Sequence, residues 1–193
     1  MKIIVQKYGG TSVGSIEKIK QIATNIKKLK KLQIVVVVSA MAGETDRLVG
    51  LINSLSKIPN EREYDQIIST GERVSAGLLA LALQSINVKS ITLDPFKLNL
   101  LTDNLHSKAS IISVDVKEIR KNLKSNHVVI IPGFQGINSD NEITTLGRGG
   151  SDLSAVAIAG ALKADRCELL KDDVDGVYTT DPRLYNRAKK IDY

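Results

Sequence analysis

The sequence predicts an α/β layered fold built on a mainly parallel sheet. Three observations predict it. Residues 34–38 and 128–131 are apolar at every position, as strands buried on both faces are. Helical patterns alternate with such runs along the chain. Polar, glycine-rich loops follow the strands, and open α/β sheets bind ligands beyond their strands' carboxyl ends.

The elements follow in order. Residues 3–5 are a short β-branched run leading into Lys7-Tyr8-Gly9-Gly10. Residues 15–32 have helical spacing, with Ile16, Ile19, Ile22, Ala23, Ile26 and Leu29 on one face and Ser15 as N-cap. Strand 34–38 gives way to a small-residue loop, 39–43, and a short helix, 48–55, ended by Pro59-Asn60. A long helical pattern, 62–86, breaks near Thr70-Gly71. Strand 89–93 precedes an ambiguous stretch, 98–112, with strand pieces around Asp103-Asn104. An amphipathic helix, 114–123, leads to strand 128–131, which Pro132-Gly133 stops. Residues 137–145 read as a hairpin turning at 138–141. Residues 151–162 read as an apolar helix with Leu153, Val156, Ala157, Gly160 and Ala161 facing inward. A short strand, 168–170, and a loop with a short extended stretch, 176–180, precede Pro182.

Composition narrows the function classes. With 193 residues the chain can bury one sizeable core. Aromatic residues are 4% and Trp is absent, so that core must be aliphatic. The net charge of +6 permits an anionic ligand, but the lysines of 26–31 read as a solvated helix face. No basic run is interleaved with aromatics, which argues against stacking on single-stranded nucleic acid. The single cysteine, Cys167, excludes an internal disulfide and fits a reducing compartment. The apolar start is interrupted by Gln6-Lys7, unlike a signal peptide. No apolar run approaches the roughly 20 residues that span a bilayer. The expected compartment is the cytoplasm, with no membrane and no nucleic-acid partner.

Four loops carry the candidate chemistry: 7–12, 39–45, 147–152 and 172–183. In a parallel sheet all four can meet at one edge. Paired glycines in the first let the backbone approach a phosphate, and the following helix adds its dipole. Gly9 and Gly14 have P-loop spacing, but Ser15 stands where that motif needs lysine; here Lys7 precedes the glycines. In the third loop, Arg148 offers a planar fork for a carboxylate or phosphate, and Ser151-Asp152 opens a helix, where capping is the plainer role. His106 and His127 have no partner motif and read as structural or surface residues. Cys167 reads as a buried small hydrophobe. There is no Ser-His-Asp arrangement and no metal-binding cluster. A missing general base suits a carboxylate acceptor, which is already ionised at neutral pH with a pKa of about 4. On residues alone, Glu72 is a solvated helix residue.

These motifs resemble the aspartokinases of the amino acid kinase family. The resemblance rests on residues 5–14, on Val37-Val38-Ser39-Ala40-Met41-Ala42-Gly43-Glu44-Thr45, and on Ser69-Thr70-Gly71-Glu72-Arg73. It continues through Gly133-Phe134-Gln135-Gly136, residues 144–152 and residues 174–183, and so covers essentially the whole chain. It implies a three-layer αβα sandwich and ATP-dependent, Mg²⁺-supported phosphorylation of the β-carboxylate of L-aspartate. That reaction is the first step towards lysine through diaminopimelate, threonine and methionine. It assigns Lys7 and Asp152 to catalysis. Lys7, Tyr8, Gly9, Gly10, Ser39, Asp172, Asp173, Tyr178, Thr179, Thr180, Asp181, Pro182 and Arg183 would hold the nucleotide, and Asp175 would shape its loop. Thr45, Arg148, Gly149, Gly150 and Ser151 would bind the substrate carboxylates, and Glu72 its ammonium. A homodimer is compatible with the family.

Three departures from the family pattern stand out. Leu169-Leu170-Lys171-Asp172-Asp173 replaces the usual Thr-Asp stretch, and Lys171 resembles the uridylate kinase branch. His106-Ser107-Lys108-Ala109 stands where His-Gly-Arg-Ala is usual. The resemblance further implies a catalytic domain over 1–193 without its last C-terminal segment and without paired ACT regulatory domains. The alternative activities are a uridylate, acetylglutamate, glutamate or carbamate kinase, or an inactive nucleotide-binding fragment. Glu72 discriminates among them, because an acetylated or nucleotide substrate offers it no ammonium.

Overall fold

The computed structural model describes residues 1–29, 31–170, 178–180, 185 and 187–191. Its centre is a five-stranded, all-parallel sheet in the order β3-β6-β2-β1-β9. The strands are β1 (Lys2–Tyr8), β2 (Leu32–Val38), β3 (Ser90–Thr92), β6 (Val128–Pro132) and β9 (Arg166–Leu170). Strand alternation explains the three layers. Ile34, Val36 and Val38 pack under α1 (Ile16–Lys28) and α4 (Thr70–Ser85). Val35 and Val37 pack under α6 (Lys117–Lys124) and α7 (Gly150–Leu162). Every residue of 34–38 is therefore buried, each contributing about 1.5–3 kcal/mol of apolar burial. Lys7 pairs with Val37 and Leu169, so the carboxyl ends of β1, β2 and β9 lie level.

A second, four-stranded sheet has the order β5-β4-β7-β8. It comprises β4 (Leu100–Thr102), β5 (Ile111–Val114), β7 (Gln135–Ile137) and β8 (Ile143–Thr145). The 137–145 hairpin forms as expected, and Asn138 Oδ1 accepts from the backbone N–H groups of Asp140 and Glu142 to hold its turn. The ambiguous stretch resolves into the short helix α5 (Pro95–Leu98), β4 and β5. Val114 ends β5 instead of starting α6. The break at Thr70-Gly71 is a joint: α3 (Glu61–Ile68) meets α4 at Ser69, which keeps helical backbone. The remaining helix is α2 (Glu44–Leu55).

Some expectations are corrected. The inward face of α7 is formed by Ser154, Ala155, Ile158, Ala159 and Leu162, while Leu153 and Val156 are exposed. Because α7 is apolar around its whole circumference, periodicity cannot choose its face. Ile16, at the first turn of α1, is exposed as well. Cys167 lies inside β9 and is exposed, because β9 is an edge strand and covers little. No helix among the described residues is long and apolar enough to cross a membrane.

Candidate active site

An open cleft of about 870 Å³ lies at the carboxyl edge of the parallel sheet. Lys7 forms part of its floor. Odd-numbered β1 positions face α7, as Val5 does, so the last such position delivers Lys7 to the start of α7. There the buried ammonium lies 2.7 Å from Asp152 Oδ1. A buried amine with a carboxylate at this distance is fixed in direction.

Two helices begin at the cleft, and both start on glycine. Gly43 caps α2 at φ 80° and Gly149 caps α7 at φ 73°, and neither position supplies a side-chain cap. Positive φ is what glycine tolerates best. By contrast, Ser15, Asn60 and Asp94 cap α1, α3 and α5 with their own oxygens. The starts of α2 and α7 thus bring positive dipole ends to the cleft, beside Thr45 and Ser151, which both line it. At the start of α1, beside the first loop, Ser15 Oγ accepts from one N–H group, that of Lys18, at 3.3 Å. Gly10 serves close approach, since a Cβ there would lie 2.9 Å from the Ala40 carbonyl.

Glu72 is buried on the first turn of α4, contrary to its expectation as a solvated residue, and it lines the cleft. Its Oε1 accepts from the Ala40 N–H at 2.9 Å, while Oε2 has no hydrogen-bond partner among the described residues. Burial pushes its carboxyl up to about 7; the Ala40 N–H, its own N–H and Lys7 pull the other way. A desolvated carboxylate with a vacant oxygen favours a cationic partner.

The structure brings Lys7, Ser39, Thr45, Glu72, Arg148, Gly149, Gly150, Ser151 and Asp152 to one cleft. It does not bring Tyr8 there. That side chain is buried in the α1/α4 layer, where its hydroxyl donates to Gln6 Oε1, and burial followed by the Glu168 charge pushes it up to about 12. Gly9 and Gly10 sit at the end of β1 outside the cleft lining. Tyr178 pairs with Lys190 in an antiparallel bridge, and the Thr179 N–H donates to the Lys189 carbonyl. Thr180 follows in a bend. Asp172, Asp173, Asp175, Asp181, Pro182 and Arg183 lie outside the described residues.

Sequence reasoning missed one wall. The α2–α3 connection contributes Lys57, Ile58 and Pro59, and α3 adds Glu61 and Tyr64; Pro59-Asn60 had read only as punctuation. Phe134 also lines the cleft, and one of only two phenylalanines placed directly after a strand-ending Pro132-Gly133 was the available signal. Of the two readings for His106, the structural one holds: Nδ1 lies 3.0 Å from Asp65 and Nε2 lies 3.5 Å from Glu142.

Chemically, the cleft places cationic Lys7, Lys57 and Arg148 beside the carboxylates of Asp46, Glu72 and Asp152. It can hold a ligand that carries both signs of charge.

Residues 2–193 match the profile of the amino acid kinase family. The chain is 50% identical over its whole length to an aspartokinase of Pseudomonas aeruginosa, of which it covers 47%. It is similar to the crystal structure of aspartate kinase from Synechocystis, with a TM-score of 0.77, 48% identity, and coverage of 96% of this chain and 31% of that one. The E. coli aspartokinase III in complex with aspartate and ADP gives a TM-score of 0.85 at 27% identity, over 99% of this chain and 54% of that one. The chain spans about half the length of the curated relatives it matches.

Proposed function

This chain belongs to the amino acid kinase family, and we propose that it transfers the γ-phosphoryl group of ATP to the β-carboxylate of L-aspartate, giving 4-phospho-L-aspartate. The observation that carries this reading is Glu72, a buried carboxylate with one unpartnered oxygen in a cleft that also holds Lys7 and Arg148. An ammonium completes Glu72. The Arg148 fork, with Thr45 and Ser151, takes the carboxylates. Acetylated or nucleotide acceptors leave Glu72 unmatched. The E. coli relative, named as a complex with aspartate and ADP, supports the same pair of ligands.

Catalysis needs no general base, because the attacking carboxylate is ionised at neutral pH. The protein's task is to overcome repulsion between anions and hold them in line. Lys7, oriented by Asp152, bridges the transferring phosphoryl group, while the positive end of the α7 dipole faces the charge that develops. Gly9, Gly10, Ser39, Tyr178, Thr179 and Thr180 form the nucleotide side, joined by Asp172, Asp173, Asp181, Pro182 and Arg183. Among the described residues no group of three or more His, Cys, Asp or Glu side chains is placed to hold a metal. Mg²⁺ would enter with ATP, whose phosphate oxygens commonly hold that ion. Residues 1–193 are in this reading a cytoplasmic phosphotransfer unit. Its product serves lysine, threonine and methionine synthesis.

The test is ADP release by this chain with L-aspartate, N-acetylglutamate and UMP. Turnover with aspartate alone supports the reading. Turnover with either of the others, or ATP binding without turnover, overturns it. Lys7→Ala should lower kcat about 10²–10³-fold while KM for aspartate moves about threefold or less. Equal kcat in mutant and parent removes Lys7 from the mechanism.

A further inference from the structure

Behind the cleft wall lies a second buried carboxylate that the proposed chemistry does not use. Asp65, on α3, is fully buried and does not line the cleft. Its Oδ2 accepts from the backbone N–H groups of Ser107 at 2.9 Å and Thr145 at 3.0 Å, and lies 3.0 Å from His106 Nδ1. Its Oδ1 accepts from the hydroxyls of Thr145 at 2.6 Å and Ser107 at 3.3 Å. A carboxylate taken out of water is costly unless such donors surround it. Once surrounded, it holds them in one arrangement.

The donors are what give this cluster a functional consequence. Ser107 and Thr145 both line the cleft, and their segments are also joined by the Ala109 N–H, which donates to the Thr145 carbonyl at 2.9 Å, and by His106 Nε2, 3.5 Å from Glu142. Thr145 ends β8, and the chain then runs through Leu146 and Gly147 to Arg148. Gly147 has φ 72°, and a Cβ there would lie 3.4 Å from the Ser107 carbonyl, so the turn into Arg148 rests on the segment that Asp65 grips. On its other side, Leu146 N–H donates to the Phe134 carbonyl.

We infer that Asp65 is a positioning residue for substrate recognition: by clamping Thr145 and Ser107 it sets the turn that aims Arg148 at the acceptor's carboxylate. This rests on the reading of Arg148 as the acceptor-carboxylate ligand. The clamp acts on the acceptor side of the cleft, because Lys7 lies in the parallel sheet and Ser39 directly follows its strand β2, apart from β8. Disturbing it should weaken acceptor binding and spare the nucleotide.

The experiment measures L-aspartate and ATP affinity by calorimetry, with amide hydrogen exchange over 145–149 in the free protein. Asp65→Asn removes the charge and one of the two acceptor oxygens that the hydroxyls and N–H groups share, and should weaken aspartate about tenfold or more. Thr145→Val removes only the hydroxyl, keeps the shape, and covers the case in which Asp65→Asn does not fold. It should weaken aspartate about threefold to tenfold, while Thr145→Ser stays at the parental value. ATP affinity should stay within about twofold throughout, and exchange over 145–149 should accelerate in Asp65→Asn or Thr145→Val. Equal affinities for Thr145→Val and Thr145→Ser, a parallel fall in ATP affinity, or unchanged exchange overturns the inference. If the parent chain binds ATP but no aspartate, the substrate reading fails by itself. The exchange rates then decide the clamp, acceleration upholding it and protection overturning it.

Discussion

Asp65 and Glu72 lie two helical turns apart on one run of helix, and both are buried. Their surroundings differ. Asp65 has five polar contacts drawn from three residues. Glu72 has one backbone donor and one oxygen without a partner. A saturated carboxylate spends its acceptor capacity inside the fold, whereas an unsaturated one keeps it for a ligand. The difference separates a residue that shapes the cleft from one that reads what enters it.

The largest expected effect breaks the saturated site. Asp65→Asn should destabilise the fold by about 2–4 kcal/mol, through loss of a buried charged acceptor and of one acceptor oxygen, as measured by urea unfolding. A loss under about 0.5 kcal/mol would erase the contrast. Next, Glu72→Gln should weaken L-aspartate binding about 100-fold by removing the charged acceptor for an ammonium. Calorimetry checks this, and an unchanged affinity would take the ammonium away from Glu72.

The smallest effect has the opposite sign. The folded-state pKa of Glu72 is raised from 4.5 to about 7, so the folded chain holds its proton more tightly than the unfolded one. The cost of ionising it is absent below pH 4.5, grows between 4.5 and 7, and is fully present above 7. Glu72→Gln should therefore stabilise the protein by about 1–3 kcal/mol at pH 8, with the gain vanishing towards pH 4.5. Parental aspartate affinity should fall, by up to about tenfold per unit, as pH drops below 7, and the variant should show no such slope. A slope that persists in the variant would assign the titration elsewhere.

The sheet was legible in the sequence because residues 34–38 and 128–131 sit between two helical layers, and burial on both faces leaves an unbroken apolar run. The face of α7 was not legible, since Leu153 and Val156 are as apolar as Ile158 and Leu162. Glu72 read as solvated by propensity alone. Yet residues 65, 68 and 72 form a helical stripe with buried Ile68 at its centre, and that spacing would have turned both carboxylates inward. The Asp65 cluster had no local signal, because its partners lie 41 to 80 residues away along the chain.

The exposed thiol of Cys167 has a practical consequence. It is the chain's one cysteine, paired with Val5 on the strand that carries Lys7. Burial, then the charges of Asp152 and Glu168, hold its pKa above the ordinary thiol value, so the thiolate that reacts with a maleimide or an aromatic disulfide is scarce at neutral pH. Its alkylation should therefore be slow at neutral pH and speed up as pH rises and the thiolate forms. As the chain's one cysteine it offers a single labelling site without any engineered mutation.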